Sequence, residues 1–418
     1  TNTIFIQIAS YRDPQLLPTL RDCISNAKYP ENLRFGICWQ HSDNDLWDNI
    51  DEYKYDPRFK IIDIDYLDSN GVCWARNLIQ NLYQGEDYTL QLDSHHRFVQ
   101  DWDVILIDML KSLQDKGYSK PLITGYIPSF DPDNDPSGRI QEPWKMTFDR
   151  YIPEGAVFFL PASFDPFIDD IKEPLMGRFY SAHFAFSIGD FAKEVQHDPD
   201  YYFHGEEISI AVRAYTHGYD LFHPHKVVCW HEYTRKGRIK QWDDDKSWGK
   251  RNDKSHLKNR KLFEMDGEKR DIDFGIYGFG KERTLRDYEK YSGLSFNKRA
   301  IQKRVKDNKP PPDPDTSHLP DNEFDEALLS IFKHCIDIQY GQVPENDYDF
   351  WAVIFKDEND QDLYRQDAVP DEIARMKNDP DGYCKVWREF QTKILPKKWI
   401  VWPHSKNKGW CEMITGNL

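Results

Sequence analysis

Nowhere in the 418 residues does an apolar run reach the roughly eighteen needed to read as a membrane-spanning helix. No signal-peptide pattern opens the chain at Thr1. A basic excess is also missing. The 55 Lys and Arg face 71 Asp and Glu, for a net charge of −16, so broad affinity for nucleic acid or an anionic membrane would have to overcome long-range repulsion. That field is screened within about 8 Å, which leaves room for a local basic pocket able to hold one diphosphate. The seven cysteines, at positions 23, 38, 73, 229, 335, 384 and 411, form no C-x-x-C pair of the zinc or redox kind. Cys23, Cys38, Cys73 and Cys229 lie in apolar stretches and read as buried small hydrophobes. A reducing compartment, the cytoplasm, is the expectation. No internal repeat is visible.

What is present is the material of a large core. Hydrophobic residues make up 39% and aromatics 15%, which excludes disorder, and the length exceeds one typical core. The segment "TIFIQIASYRDPQLLPTLRDCI" alternates through Ile4, Ile6 and Ile8. It then changes period, with Leu16, Leu17, Leu20, Cys23 and Ile24 on one helical face and Asp13 before Pro14 in a capping position. Strands are expected at 33–39 and 59–67, followed by a helix carrying Ala75, Leu78, Ile79 and Leu82, then a strand at 88–92 and a helix at 101–114. Further strands are read in "KPLITGYIPSF", "GAVFFLPASF", "FYSAHFAFSI" (179–188) and "KVVCWHEY". The helix in "HGEEISIAVRAYTHGYDLFHP" has acids in its first turn and stops at Gly218. Alternating strands and helices point to an open α/β sheet. The expected division is 1–240 for that domain, 241–320 for a basic and aromatic lid, helical segment and Pro-rich connector, and 321–418 for a small β-rich accessory domain.

The chemistry concentrates in "YTLQLDSHHRF". Side chains alternate along an extended segment, so Asp93 and His95 point to one side and can share a divalent cation, while His96 turns away to a supporting or core position. Two ligands do not make a tight site. His231, at the end of the strand "VVCWHEY", is the best third ligand, because strand ends share one rim of an α/β sheet. Against this stands the bland reading of a D-x-H triplet as a surface loop.

The order "IASYRD", "GVCWARN", "LDSHHRF", "HGEE" resembles the GT-A glycosyltransferases. The D-S-H triplet with a distant His is similar to the polypeptide GalNAc-transferases, in which Asp and two His hold manganese against a nucleotide diphosphate. The phrases "IFIQIASYRDPQLLPTLRDC", "LQLDSHHRF", "AHFAFSIGDF", "YYFHGEEISIAVRAYTHGYDLFHP" and "WHEY" together resemble glycosyltransferase family sixty. That family includes a cytosolic UDP-GlcNAc:hydroxyproline polypeptide N-acetylglucosaminyltransferase.

The resemblance implies a GT-A, Rossmann-like mixed sheet and a retaining transferase. Its donor would be UDP-GlcNAc, its metal Mn2+ or alternatively Mg2+, and its acceptor a protein hydroxyl of Ser, Thr or hydroxyproline. It implies Asp93, His95 and His231 as metal ligands. It places Ala9, Ser10, Arg12, Arg76, Asp93, Ser94 and Trp248 against the UDP-sugar, with the backbone at Ala9 and Ser10 toward the uracil. Asn77 accompanies Arg76 on its helix.

Glu206 and Glu207 are the candidate catalytic pair. On their own they read as acids favouring a helix N-terminus. Under the resemblance they act as a base or orient the sugar and acceptor. Trp242 and Trp248 fit a lid and Tyr233 a stacking surface, while Trp230 reads as core. A transferase building a capsular or cell-surface glycan is the second enzyme reading. A degenerate, non-catalytic carbohydrate-binding protein is a reading of another class.

Overall fold

The computed structural model describes residues 2–164, 171–234 and 238–418. Residues 235–237 of the basic stretch therefore lie outside the described residues. The first strands and helices are β1 (Ile4–Tyr11), α1 (Leu16–Asn26), β2 (Leu33–His41), β3 (Phe59–Asp65), α2 (Val72–Gln80), β4 (Tyr88–Leu92), β5 (His96–Phe98), α3 (Trp102–Asp115) and β6 (Pro121–Thr124). There follow β7 (Trp144–Tyr151), β8 (Val157–Ser163), β9 (Leu175–Met176), β10 (Phe184–Ile188), α4 (Phe191–Glu194), α5 (Glu206–Thr216), β11 (Asp220–His223) and β12 (Cys229–His231).

An eight-stranded sheet runs in the order β3-β2-β1-β4-β10-β6-β11-β9. The pairs β1–β2, β2–β3, β1–β4 and β6–β11 are parallel, while β10 runs antiparallel between β4 and β6. A central strand with helices on both faces buries both of its own faces. Hence the first five residues of β1 are all buried, and the Gln7 amide donates from Nε2 to Thr89 Oγ1 at 2.7 Å. Apolar residues of β1, β4, α1 and α3 form one core cluster, among them Ile6, Leu20, Leu90 and Leu106.

The direction of the strands fixes the rim. The parallel strands end at Tyr11 and Leu92, and β10 starts there, with Phe184 opposite Leu92. The strand expected at 179–188 begins only at Phe184. Before it the chain turns, with the Phe184 N–H reaching the Ser181 carbonyl at 3.3 Å. The short antiparallel ribbon of β5 and β12 pairs His231 with His96, so the two histidine-bearing segments lie side by side at the same rim.

From residue 241 the chain forms α6 (Gln241–Asp244), α7 (Trp248–Phe263), α8 (Leu285–Ser292), β13 (Leu294–Ser295) and β14 (Ala300–Ile301). These elements contribute core residues of their own. Leu262, Phe263, Tyr288, Tyr291 and Phe296 are buried in a second core cluster with α5 and β8. Large aromatics anchored by polar tips do the work in a charged sequence: Tyr291 donates to the Gly177 carbonyl at 2.7 Å. The remaining strands are β15 (Leu329–Gln339), β16 (Tyr348–Lys356), β17 (Asp362–Arg365), β18 (Tyr383–Gln391), β19 (Lys398–Ser405), β20 (Gly409–Trp410) and β21 (Ile414–Asn417), all antiparallel in their pairings and with their own apolar cluster. The hairpin read at "FWAVIFKDENDQDLYR" is β16 and β17. β15 also pairs with β14, so a sheet crosses position 321. Among the described residues, no helix is long and apolar enough to cross a membrane.

Candidate functional site

A cavity of about 370 Å³ opens at this rim. Its floor is built from the ends of β1 and β4, the first turns of α2 and α5, and β12. Ala9, Arg76, Asp93, Ser94, His95, Glu206, Glu207 and His231 line it, so the structure brings together most of the residues singled out in the sequence.

Asp93 is the meeting point. His231 Nε2 lies 3.0 Å and His95 Nε2 3.5 Å from its Oδ2, and Arg76 Nη2 donates to its Oδ1 at 3.0 Å. Burial opposes a charge on Asp93, but the hydrogen bonds from His231 and His95 hold its carboxyl well below the usual carboxylate range. Burial likewise disfavours the charged ring of His95. Its bonds to Asp13 and Asp93 outweigh that and push it up to about 9. Burial carries His231 the other way, well below the usual histidine range, and leaves it neutral. One ligand atom from each of Asp93, His95 and His231 falls within 4.8 Å of the others. One carboxylate and two imidazoles at this separation fit a divalent ion such as Mn2+, which would replace the N–H···O contacts between them.

His96 takes the supporting place expected of it. It is fully buried, and its Nε2 accepts the Asp93 backbone N–H at 3.2 Å.

Glu206 and Glu207 open α5 after Gly205, whose φ of +89° is a left-handed conformation suited to glycine. Glu206 lies 3.5 Å from Arg76 Nη1 and accepts the Cys73 thiol. Its carboxyl is raised, burial leading and Arg76 opposing. Glu207 accepts the Ala182 N–H at 2.9 Å, and burial followed by the charge of Glu206 pushes it up to about 8.

Other expectations are corrected. Trp248 does not line the cavity: it stands 45% exposed at the start of α7, and Trp242 of α6 lines the cavity instead. Ser10 is wholly buried beneath the rim, where its carbonyl accepts from Gln40 Nε2 at 3.1 Å. Arg12 points away from the cavity to Asp45 at 2.7 Å and Asp244 at 3.1 Å, tying α6 to the end of β1. Asn77 bonds the His197 carbonyl at 3.0 Å and does not line the cavity. Asp13 does not cap α1, whose N-cap is Gln15; its carboxylate turns inward to His95. Trp230 is buried as expected, its Nε1 donating to the Ile140 carbonyl at 2.7 Å.

Sequence reasoning missed His183, Tyr126 and Arg238. His183 stacks on His231 with ring centres 4.0 Å apart, and Tyr126 stacks on His183 at 5.3 Å. The signal for His183 was its place just before a strand; only the strand's reversed direction puts that start at the rim. Arg238 sets its Nη1 2.9 Å from His95 Nδ1.

No curated protein sequence matches the chain. Among solved structures it is similar to GalNAc-T7 with UDP, GalNAc and Mn2+, at 15% identity and a TM-score of 0.44 over 56% of this chain and 44% of that one. It is also similar to the mannosyltransferase PcManGT from Pyrobaculum calidifontis in complex with GDP-Man and Mn2+, at 13% identity and a TM-score of 0.36 over 56% and 58% of the two chains. S. aureus TarS 1–349 in complex with UDP-GlcNAc is similar at 12% identity and a TM-score of 0.36, over 56% and 60%. The chain thus spans about half the length of GalNAc-T7 and under two thirds of the other two. The architecture is a mixed, Rossmann-like α/β sheet with antiparallel sheets toward the C-terminus. The model of one family, Glycosyltransferase (GlcNAc), matches residues 3–57 and 49–298, well over half of the sequence and all of the cavity floor; the chain belongs to that glycosyltransferase family.

Proposed function

We propose that the protein is a metal-dependent, retaining transferase that moves N-acetylglucosamine from UDP-GlcNAc to a hydroxyl of a protein acceptor, on Ser, Thr or hydroxyproline. The observation that carries this reading is the convergence of Asp93, His95 and His231 on one point of the cavity beside Arg76 and Glu206. The GlcNAc choice is supported by the family.

Asp93, His95 and His231 would hold the cation, Mn2+ or Mg2+. When bound, such an ion neutralises charge that develops on the diphosphate as the sugar leaves. Arg76 fixes Asp93 and Glu206 by its planar donors and keeps both carboxylates aimed. Ala9 and Ser94 border the donor's side of the cavity.

Glu207, whose carboxyl titrates near 8, holds its proton at neutral pH and so supports a hydrogen-bonding role over that of a general base. In the retaining course the acceptor approaches on the face the diphosphate leaves, and its proton passes to the departing phosphate oxygen. Glu206 and Glu207 then orient the sugar or the acceptor. Seven cysteines, all free thiols, support a reducing compartment such as the cytoplasm.

The test is UDP release from a set of UDP-sugars with Mn2+, with and without hydroxyl-bearing peptides and glycans. Acceptor-dependent release with UDP-GlcNAc, abolished by Asp93→Asn, is the expected result. Equal release without any acceptor would make the protein a hydrolase, and a preference for glycan acceptors would replace the protein-acceptor reading.

A further inference from the structure

Asp13 is a buried carboxylate to which the reading above gives no task. It follows β1 at the rim and is 3% exposed. Its Oδ1 accepts the Gln15 backbone N–H at 2.8 Å, and its Oδ2 lies 2.5 Å from Ser94 Oγ and 2.8 Å from His95 Nδ1. A carboxylate that only shaped a turn would stay in water, since burying it is costly unless it is fully bonded. Thr19, on α1, grips the same loop: its Oγ1 lies 3.1 Å from the Ser94 carbonyl and accepts the His96 N–H at 2.9 Å. The corner between β1 and α1 thus holds residues 94–96 from behind, on the side away from Asp93.

The two nitrogens of an imidazole have separate duties. When a carboxylate takes the Nδ1 proton, Nε2 is left with its lone pair outward, the ring orientation is fixed, and the ring becomes a better ligand. His95 has this arrangement, with Nδ1 on Asp13 and Nε2 on the side of Asp93 Oδ2. Arg238 Nη1 also approaches Nδ1, but a guanidinium can only donate. It therefore cannot pair with an Nδ1 that is itself donating; Nη1 also stands 3.3 Å from His95 Nε2 and 3.8 Å from Asp13 Oδ2.

We propose that Asp13 is a positioning residue of the metal centre, whose carboxylate holds His95 by Nδ1 and turns Nε2 toward the ion shared with Asp93 and His231. This rests on the reading of those three residues as ligands, and the experiment separates the two.

Mn2+ alone is titrated into the full chain, without nucleotide. Free Mn2+ is followed by electron paramagnetic resonance, and nitrogen couplings of the bound ion are recorded by pulsed measurement. Asp13→Ala is expected to weaken Mn2+ about 10- to 100-fold and to change the coupling from one histidine nitrogen. Asp13→Asn keeps an acceptor for the Nδ1 proton but no charge, and is expected to fold and to lose about tenfold; it carries the comparison if Asp13→Ala does not fold. Asp103→Asn is the control for loss of a buried structural carboxylate, because among the described residues Asp103 binds the Lys28 and Tyr29 N–H groups, at 2.9 and 3.0 Å. It should leave Mn2+ binding unchanged. Asp13 variants that bind Mn2+ as the unaltered chain does, with unchanged nitrogen couplings, overturn the proposal alone. An unaltered chain that does not bind Mn2+, or an Asp93→Asn variant that binds it equally well, overturns the ligand reading and the proposal with it.

Discussion

Replacing Arg76 by Met keeps most of its buried stem and removes the guanidinium. Arg76 sits beside α2's contact with α5, bridging Asp93 at 3.0 Å and Glu206 at 3.5 Å with its side chain 7% exposed. In the variant Asp93 keeps two histidine partners, at 3.0 and 3.5 Å, whereas Glu206 keeps only the Cys73 thiol. Glu206 can escape by taking up a proton. With an ordinary carboxyl value of about 4.3 in the unfolded chain and about 1.4 kcal/mol per pH unit, that costs at most about 4 kcal/mol near pH 7.5 and about 1 kcal/mol near pH 5, less the part the unaltered chain already loses because burial raises the same carboxyl there. The figure at neutral pH falls within the 3–5 kcal/mol typical of breaking a buried pair from one side. The sign follows from proton counting. Between these pH values Glu206 is neutral in the folded variant and ionised when unfolded, so the unfolded chain binds fewer protons and the variant loses stability as pH rises. Urea unfolding of both proteins with metal chelated, followed by tryptophan fluorescence at about pH 5 and about pH 7.5, measures the difference. A cost equal at both pH values, or under about 1 kcal/mol at neutral pH, would refute the bridge.

Asp93→Asn should abolish Mn2+-dependent UDP binding, measured by calorimetry. Trp242→Ala is expected to weaken UDP-sugar binding by about tenfold, the loss of one stacking or edge contact of about 1.4 kcal/mol, whereas Trp248→Ala stays within about twofold. Gly205→Ala should cost about 1–2 kcal/mol in thermal unfolding, because its φ of +89° suits glycine and an added Cβ would lie 3.2 Å from Asn259. A chain ending at 320 should still bind UDP but melt earlier, since it strips β15 from β14 and leaves Ile301 with β13 as its one remaining partner strand among the described residues.

Period and length made β1, β4, α3 and α5 legible, because each keeps one repeat for a whole element. The pairing of Asp93 with His95 was read from strand alternation, whereas the chain bends at Ser94 and His95 between β4 and β5; His231 was legible because strand ends collect at one rim. Asp13 was not: a short-range explanation, the turn before Pro14, accounted for it fully, and only the fold brings Ser94 and His95 to it. His183 was hidden because a sequence carries no sign of strand direction. The region after 240 showed little core pattern because its core residues are aromatics far apart among charges, such as Phe263, Tyr288 and Phe296, which set up no helical or strand period. Trp248 and Trp242 looked alike there, and only the break between α6 and α7 separates them.

The reversed strand β10 has a consequence for how such a cavity can change. Four steps of about 3.3 Å separate Phe184 from Ile188, so Ile188 lies roughly 13 Å down from the rim while Ala182 and His183 are at the opening. Lengthening the chain just before β10 would reshape the cavity mouth directly, next to Glu207. An insertion of the same size after Ile188 would emerge at the far edge of the sheet and leave the mouth as it was. The segment ahead of β10 is thus where this scaffold can be retuned for a different acceptor without disturbing the strands that carry Asp93.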